Sequence, residues 1–322
     1  MAVYTDVSDE ELAGFIASYT IGALTSCKGI AEGVENSNYL VHTEAGRYIL
    51  TLYEKRAAPQ DLPYFLALME HLAARGITCP VPVHDRAGRM LRELAGRPAA
   101  LITFLDGVSV RRPSIEHCAL LGDALARFHL AGADFPLRRA NSLSLSGWVP
   151  LAAAVGDGAD QIIPGLAKEI AQELDHLKRA WPGGLPEGVI HADLFPDNVF
   201  FLGARLSGLI DFYFACNDML AYDIAVCLNA WCFEADASFN ITTARALLQA
   251  YEAARPLTPS ELDALPTLAR GAAMRFLLTR SFDWLNNDAA ALVKPKHPNE
   301  YLRKLRFHQR VESYRAYGLG AT

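Results

Sequence analysis

Three features are scarce in this chain, and each scarcity excludes a class of protein. Within the 322 residues, no apolar run approaches the roughly 18 residues that a membrane-spanning helix requires. The N-terminal segment, residues 1–6, lacks a basic region followed by an apolar core, so we expect no secretory signal. Basic residues are also too few for a nucleic-acid partner, because 30 lysines and arginines against 36 aspartates and glutamates leave a net charge of −6.

Cysteine patterns that would indicate a metal site or a disulfide framework are also missing. The six cysteines are scattered, without the paired spacing of metal ligands, at positions 27, 79, 118, 216, 227 and 232. Such cysteines suit a reducing compartment, and we therefore expect a cytoplasmic protein. The composition is 51% hydrophobic and 20% charged, which is ordinary for a globular protein with a sizeable core.

The pattern of apolar residues changes at Asp106-Gly107. Before this point it predicts strands that pair in hairpins, residues 39–42 with 47–53 and 81–84 with 90–94. After it helical patterns dominate, and the last of them covers residues 300–317. The sequence therefore predicts an α+β protein with two lobes: a β-rich lobe with an antiparallel sheet over residues 1–106, and a mostly helical lobe over residues 107–322.

The chain does contain one segment of unusual chemical content, His191-Ala-Asp-Leu-Phe-Pro-Asp-Asn-Val-Phe200. It has the form H-x-D-x-x-x-x-N, and a second apolar run after it ends in Asp211. Phosphoryl transfer from ATP uses such a set. Asp193 can receive a hydroxyl proton, while Asn198 and Asp211 can hold Mg²⁺ on the phosphates. The turn at residues 203–205 predicts a hairpin between the two runs.

Each of these residues also has a structural interpretation. His191 can be a buried histidine that orients the loop without touching the substrate. Asp193 can cap the loop, and Asn198 can be a turn residue. Asp211 closes a strand, where a carboxylate without a cation would be poorly placed. The four residues together favour catalysis over these separate explanations.

On these residues the chain resembles the protein-kinase-like phosphotransferases of the aminoglycoside kinase and choline kinase type. His191, Asp193 and Asn198 match their catalytic loop, and Asp211 matches their metal-binding aspartate. The resemblance implies a bilobal protein-kinase-like fold, ATP as co-substrate and Mg²⁺ as cofactor. It also implies that residues 101–107 form the hinge that contacts adenine, through the carbonyl of Thr103 and the amide of Leu105.

One departure from this family concerns phosphate binding. Kinases of this type usually carry a lysine where this chain has Thr51, and a helix glutamate, here Glu70, as its partner. Lys55 shares the strand face four residues on, near the strand's end. Backbone amides of a Gly-rich segment can supply part of the phosphate contacts in place of the lysine. We therefore expect ATP-binding residues in that segment: Gly33, Asn36, Ser37 and Asn38. A hairpin turn would have the same composition.

Within this family the chain is most similar to the homoserine kinases of the same fold, through residues 35–39, 48–54, 229–234 and 294–301. That similarity implies phosphorylation of the L-homoserine hydroxyl in threonine biosynthesis. Residues 270–322 hold seven arginines and three lysines against two aspartates and two glutamates, a surplus of six positive charges that suits the substrate carboxylate. Arg275 and Trp231 are the predicted substrate residues, with Arg270 or Arg280 as the next candidates for the carboxylate.

Other substrates and one other class of function stay open. Choline would call for an aromatic cage, which Trp231 and Trp284 could supply. Methylthioribose is a further small alcohol, and the basic C-terminal region disfavours aminoglycosides. A nucleotide-binding pseudokinase is favoured by Thr51 and opposed by the intact H-x-D-x-x-x-x-N segment and Asp211. Nothing in the sequence indicates an oligomeric state.

Overall fold

The computed structural model of the chain describes residues 5–30, 36–54, 58–287 and 295–320. Two compact units are present. The first unit comprises Met1–Gly107, Phe135–Leu137 and Ser207–Tyr213, and the second comprises Val108–Asp134, Arg138–Leu206 and Phe214–Thr322. The predicted fold class is confirmed, since an antiparallel sheet dominates the N-terminal part and helices dominate the remainder.

The first unit is built on a five-stranded antiparallel sheet with the strand order β1-β2-β3-β5-β4. Its strands are β1 Leu24–Gly29, β2 Asn36–Thr43, β3 Gly46–Tyr53, β4 Leu91–Leu94 and β5 Arg97–Thr103. Its helices are α1 Asp9–Ile16 and α2 Leu62–Ala74. The predicted hairpin of residues 39–42 and 47–53 is confirmed as β2 and β3, which pair from Asn36 with Tyr53 to Thr43 with Gly46.

The core of this unit follows from the two-residue period of its strands. Val41 on β2 and Leu50 and Leu52 on β3 are fully buried in one cluster with the apolar face of α1. Helix α1 is fixed at its start by a capping box, in which Ser8 and Glu11 exchange side-chain-to-backbone hydrogen bonds. Helix α1 therefore packs with its apolar face against one side of the sheet.

The predicted hairpin of residues 81–84 and 90–94 is wrong. The strand β4 exists, but it pairs with β5, and residues 81–84 also meet β5: Pro82 forms a bridge with Ile102, the amide of Val83 donates to Leu101, and Val81 exchanges hydrogen bonds with Thr103. Proline explains the failure, because Pro80 and Pro82 have no N–H to donate to a ladder. Asp85 then closes the turn by accepting the amides of Ala87 and Arg89.

The second unit is mostly helical. Its helices are α3 Ile115–Ala131, α4 Leu145–Val155, α5 Ala159–Ile162, α6 Leu166–Ala180, α7 Leu220–Trp231, α8 Ile241–Ala254, α9 Pro259–Leu285 and α10 Asn299–His308. Its strands β6 Glu187–Ile190 and β9 Cys216–Met219 form one antiparallel pair. The strands β7 Val199–Leu202 and β8 Arg205–Leu209 form another, which confirms the hairpin at residues 203–205, and β8 continues into the first unit at Ser207.

The C-terminal helix is shorter than the sequence predicts. Helix α10 ends at His308, and a separate 3-10 turn covers Tyr314–Tyr317, so a continuous helix over residues 300–317 is wrong. Ser313 starts that turn by accepting the amide of Arg315, and Gly318 ends it with a φ of 95°. A serine cap and a left-handed glycine break the helical pattern that the apolar spacing alone suggests. No helix among the described residues is long and apolar enough to cross a membrane.

Helices α3 and α8 approach each other closely at Gly122. A Cβ atom at this position would lie 2.1 Å from the carbonyl oxygen of Leu247 on α8. This approach brings His129 of α3 within 2.7 Å of the hydroxyl of Tyr251 on α8. The glycine thus sets the separation of two helices that carry a buried polar contact.

We expect the Gly122→Ala variant to lose about 1–3 kcal/mol of unfolding free energy, because its methyl group would meet backbone that cannot easily move aside. Gly14→Ala in α1 is the matched control, since no heavy atom lies within 4 Å of that position. It should gain about 0.4–1 kcal/mol through the unfolded state. Urea denaturation measures both, and equal shifts would contradict the close approach.

Candidate active site

The H-x-D-x-x-x-x-N segment forms the loop between β6 and β7 of the second unit. We call residues 191–198 the catalytic loop. His191 follows β6 and is fully buried, and the loop ends in a short 3-10 turn, Pro196–Asn198. Asp193 lies between them with a side chain that is 19% exposed. The loop therefore holds two carboxylates: that of Asp197 is 75% exposed, whereas that of Asp193 is only partly accessible.

The backbone of the loop is held by Asp223 of α7, which is fully buried. Its Oδ2 accepts the amide of His191 at 2.7 Å, and its Oδ1 accepts the amide of Ala192 at 2.9 Å. Burial by itself would raise the pKa of Asp223, but the hydrogen bond from His129 and the donors of the loop outweigh burial and lower the pKa. The carboxylate is therefore ionised and fixes the loop by charge-assisted hydrogen bonds.

A chain of polar side chains extends from Asp223 into the helices. His129 lies 3.2 Å from Asp223 through Nε2 and 2.7 Å from the Tyr251 hydroxyl through Nδ1. Burial lowers the pKa of His129 although Asp223 opposes this effect, so the ring is neutral, donates from Nε2 and accepts at Nδ1. Tyr251 in turn accepts from Arg255, which pairs with the buried Glu261 at 2.9 Å.

Ala192 occupies a backbone conformation that its side chain does not favour. Its φ is 64°, in the left-handed region, which costs on the order of 1–3 kcal/mol for a residue without glycine's freedom. Two bonds hold it there: its amide donates to Asp223, and its carbonyl accepts from the guanidinium of Arg275. This backbone conformation turns the chain so that Asp193, the next residue, points away from the buried Asp223.

Asp193 and Asn198 are brought together by the loop itself. Asn198 Nδ2 donates to the carbonyl of Asp193 at 2.8 Å and lies 3.4 Å from its Oδ2. Because Nδ2 is held in this way, the amide oxygen is the atom that Asn198 can offer to a cation. His191 Nδ1 accepts the amide of Asp193 at 3.3 Å. His191 thus orients the loop from inside the unit.

Arg275 and Trp231, the predicted substrate residues, also contact the catalytic loop. Arg275 of α9 is 1% exposed, donates to Ala192 and lies 3.8 Å from Asp193 Oδ1. Trp231 of α7 is 3% exposed and donates from Nε1 to the carbonyl of Leu194 at 2.8 Å. Their role toward substrate stays a prediction, and these contacts favour support of the loop.

In the first unit, Asp211 follows β8 and is exposed, with a φ of 64°. Aspartate tolerates this conformation better than most residues, because its short polar side chain can bond locally. Burial raises the pKa of the neighbouring Tyr213 to about 12, with Asp211 adding to the effect. The hydroxyl of Tyr213 lies 3.1 Å from that of Tyr53 at the end of β3.

The position of the missing lysine is occupied by a buried hydroxyl. Thr51 is 2% exposed and donates to Asn38 Oδ1 at 2.8 Å. Glu70, the expected partner of such a lysine, lies 2.8 Å from His84 at the surface. Lys55 and Gly33 lie outside the described residues.

Three of the predicted ATP-binding residues lie in β2, whereas the sequence placed them in a loop. Asn36 begins the strand, and its Oδ1 accepts the amide of Glu54 at 3.4 Å. The hydroxyl of Ser37 donates to Glu54 at 2.7 Å. The carbonyl of Asn38 accepts the amide of Ile30 at 2.8 Å, which closes the segment between β1 and β2. Their side chains therefore connect β2 to β3 and to Glu54, the residue after β3.

Thr103 is the last residue of β5, and Leu105 lies two residues after it. The amide of Thr103 donates to Val81 and its hydroxyl accepts the amide of Val81, both at 2.9 Å. Leu105 packs on Gly208, where a Cβ atom would lie 2.4 Å from its side chain. A glycine at 208 is required so that Leu105 can approach the backbone of β8.

A fold with an antiparallel N-terminal sheet, and a second unit that presents Asp193 and Asn198 from a braced loop, defines a protein-kinase-like phosphotransferase. The phosphotransferase enzyme family APH matches residues 26–257, and the chain belongs to this family. It is 66% identical to the homoserine kinase of Xanthobacter autotrophicus over 321 residues and to that of Bradyrhizobium sp. (strain ORS 278) over 322 residues. Both matches cover 100% of this chain and of the relative.

Solved structures of the same fold support this assignment at the level of architecture. The amicoumacin kinase hAmiN has a TM-score of 0.70 at 17% identity, covering 95% of this chain and 93% of the other. Choline kinase from Cryptosporidium parvum Iowa II has a TM-score of 0.69 at 15% identity, covering 94% of this chain and 95% of the other. The predicted resemblance to aminoglycoside and choline kinases is confirmed.

We expect Asp223→Asn to lose about 1–3 kcal/mol of stability at neutral pH, because one of the donors around it would lose its acceptor. The lowered pKa of Asp223 contributes stability above its ordinary value of 3.8 that is lost as the pH falls through the lowered pKa. The difference in unfolding free energy between the parent and the variant should therefore become smaller at acid pH. Chemical denaturation across pH measures this.

Asp175→Asn is the control for this experiment, since that aspartate is 68% exposed in a surface pair with Lys178. Its effect should stay within about 0.5 kcal/mol. An Asp223 variant as stable as this control would refute the anchoring role.

Proposed function

We propose that this protein transfers the γ-phosphoryl group of ATP to the side-chain hydroxyl of L-homoserine and forms O-phospho-L-homoserine, the precursor of threonine. The full-length identity of 66% to homoserine kinases carries the substrate assignment. The braced catalytic loop carries the reaction type, since a positioned aspartate beside an amide ligand is what phosphoryl transfer from ATP requires.

Asp193 is the residue we propose to accept the proton of the substrate hydroxyl. Of the two loop carboxylates, that of Asp197 is 75% exposed, whereas that of Asp193 is partly buried, and the backbone of Asp193 is fixed on both sides, by Ala192 before it and by Asn198 after it. A fixed acceptor lowers the activation barrier, because it can take the proton from the hydroxyl while the hydroxyl oxygen attacks the phosphorus. His191 supports this position from the buried side of the loop.

Asn198 and Asp211 are the residues we propose as ligands of a divalent cation, and Mg²⁺ is the ion. The donor chemistry fits, because an amide oxygen and a carboxylate are the hard oxygen ligands that Mg²⁺ prefers. The bonds of Asn198 Nδ2 to Asp193 leave its amide oxygen as the available ligand atom. When bound, the ion would neutralise charge that develops on the phosphates.

For the nucleotide we propose residues 1–106 as the binding lobe and residues 107–322 as the catalytic and substrate lobe. Adenine would meet the carbonyl of Thr103 and the amide of Leu105 at the end of β5. Phosphate contacts would come from the backbone around Gly33 and from the start of β2, at Asn36, Ser37 and Asn38. Buried Thr51 cannot replace a lysine charge, which leaves this task to backbone amides.

Arg275 and Trp231 remain proposed contributors to substrate binding, and we assign the larger part of their effect to the catalytic loop. Both are nearly inaccessible and donate to loop carbonyls, Arg275 to Ala192 and Trp231 to Leu194. Their removal should therefore lower turnover for every acceptor alcohol alike.

We propose a cytoplasmic protein that binds ATP and a small amino acid, without a nucleic-acid or membrane partner. The reaction consumes ATP, and all six cysteines lie among the described residues as free thiols. The net charge of −6 disfavours nucleic acid.

The function is tested by coupled ADP release with a panel of acceptors: L-homoserine, homoserine lactone, choline, methylthioribose and an aminoglycoside. Homoserine should exceed each of the others by at least about tenfold in kcat/KM, because a charge-assisted hydrogen bond to the carboxylate is worth roughly 1.5–3 kcal/mol. Choline turned over as well as homoserine would overturn the substrate assignment.

Asp193→Asn completes this test. The variant should bind ATP as the parent does and lose about 10²–10⁴ in kcat, because it lacks the proton acceptor and keeps the shape of the side chain. ATP binding is measured by calorimetry and turnover by the same ADP assay. A kcat within about threefold of the parent would remove Asp193 as the acceptor.

The metal ligands differ in charge, and their variants should differ accordingly. Asp211→Ala should abolish activity with little rescue at high Mg²⁺, whereas Asn198→Ala should retain more activity and be partly rescued by Mg²⁺ or Mn²⁺, since it supplies one neutral ligand. Titrating both cations against the initial rate measures this. Equal losses that no cation concentration changes would contradict these roles.

A further inference from the structure

A cluster of three charged side chains joins α9 and α10 in the second unit. We call it the α9–α10 charge cluster and define it as Arg280, Glu300 and Lys304. Arg280 Nη1 donates to Glu300 Oε2 at 2.6 Å, and Lys304 Nζ donates to Glu300 Oε1 at 2.6 Å. One carboxylate therefore lies between two cations.

The cluster is more buried than an ordinary surface ion pair. The side chains of Arg280 and Lys304 are 11% and 6% exposed, while that of Glu300 is 47% exposed. Desolvation by itself would raise the pKa of Glu300, but Lys304 and Arg280 overcome it and hold the pKa at about 2. Two positive charges and one negative charge leave a surplus of one cation in a partly desolvated place, where a further anion would be stabilised.

Both cations lie on the ring of Tyr301, the residue after Glu300. The guanidinium carbon of Arg280 is 4.4 Å from the ring centroid, and Lys304 Nζ is 4.6 Å from it. Tyr301 is fully buried, and its hydroxyl has no hydrogen-bond partner among the described residues. The ring of Tyr301 therefore holds both cations in place beside Glu300.

The cluster lies close to the catalytic loop. Phe195 of the loop packs on Phe276 of α9 at 4.9 Å between ring centroids, and Phe276 packs on Tyr301 at 5.0 Å. Burial raises the pKa of Tyr301, and Asp193 and Arg275 are among the charged groups near enough to act on it. The aromatic contacts thus connect the proposed proton acceptor with the charged groups of α9 and α10.

We propose that the α9–α10 charge cluster binds the amino-acid end of the acceptor, with the α-carboxylate on Arg280 and Lys304 and the α-ammonium on Glu300. This inference rests on the proposed function and names the part of the molecule that selects an amino acid over a simple alcohol. An ionised carboxylate has about four acceptor positions. Arg280 and Lys304 use two of those on Glu300, so its half-exposed side can accept an ammonium.

The chemistry of Arg280 suits a carboxylate in particular. A guanidinium has five donor hydrogens in a planar fork that matches two carboxylate oxygens, and the bond to Glu300 uses one of them. Arg270, another arginine of α9, directs two donors to Glu173 in a two-bond pair at 2.8 and 2.7 Å, the arrangement that a substrate carboxylate would otherwise take. Arg275 is directed to the loop carbonyl. Of these three arginines of α9, Arg280 is the one placed to receive substrate.

The test uses two analogues that each lack one charge of homoserine. Homoserinol has the ammonium and no carboxylate, and 4-hydroxybutyrate has the carboxylate and no ammonium. Arg280→Met should lower kcat/KM by about 10- to 150-fold for homoserine and for 4-hydroxybutyrate and change it little for homoserinol. Glu300→Gln should weaken homoserine and homoserinol and spare 4-hydroxybutyrate. Where an analogue is turned over too slowly, its inhibition constant against homoserine replaces kcat/KM.

Matched controls separate binding from stability. Arg306→Met removes an arginine–carboxylate pair of α10 outside the cluster, the two-bond contact with Glu169 at 2.8 and 2.7 Å, and should leave all three substrates unchanged. Arg280→Lys keeps the charge and loses the fork, so it should recover part of the homoserine activity. Thermal unfolding of each variant identifies any that fails to fold, and Arg280→Lys then carries the test alone.

The outcomes distinguish this inference from the proposed function. If the parent enzyme does not phosphorylate homoserine, the proposed function fails first. If it does, and Arg280→Met lowers the rate with homoserine and homoserinol by the same factor, the cluster is a structural ion pair and the inference is overturned. A loss confined to the substrates that carry a carboxylate supports it.

Discussion

A single buried carboxylate, Asp223, is the constraint on which the active site depends. Its two oxygens accept the amides of His191 and Ala192, and through them it sets the direction in which Asp193 leaves the core. A carboxylate without solvent is stable only when donors surround it, and here His129 completes the set. The close approach of α3 and α8 at Gly122 brings that histidine to its tyrosine partner. The position of the proposed proton acceptor is thereby linked to the packing of α3 against α8.

Left-handed backbone occurs at or beside two of the proposed functional residues. Ala192 and Asp211 both have a φ of 64°, and each is next to or part of a proposed functional group. At Ala192 the strain is held by one anion and one cation, Asp223 and Arg275, which act on the two sides of the same residue. At Asp211 the residue itself tolerates the conformation. Such strain persists only where the surroundings leave no alternative, and Ala192 fits that condition.

The three arginines of α9 have similar sequence surroundings and different tasks. Arg270 binds Glu173, Arg275 supports the catalytic loop, and Arg280 faces Glu300 at the contact with α10. The surplus of basic residues in the C-terminal region is therefore divided between structural ion pairs and a charge cluster beside the loop. The partner decides between these uses: Arg270 directs two donors to Glu173 and Arg275 meets the carbonyl of Ala192, whereas Arg280 spends one donor on Glu300.

The sequence by itself determined the fold class, the β2–β3 and β7–β8 hairpins and the catalytic-loop motif, because periodicity and fixed spacing are local properties of the chain. It could not determine that Asn36, Ser37 and Asn38 lie in a strand, that residues 81–84 do not pair with β4, or that α10 ends at His308. It also could not place Asp223 and His129 behind the catalytic loop, or Glu300 beside Arg280, since these residues reach those partners across many positions of sequence. Tertiary structure decided which charged side chains are buried and what each one meets, because burial and long-range pairing arise only when helices and strands pack together.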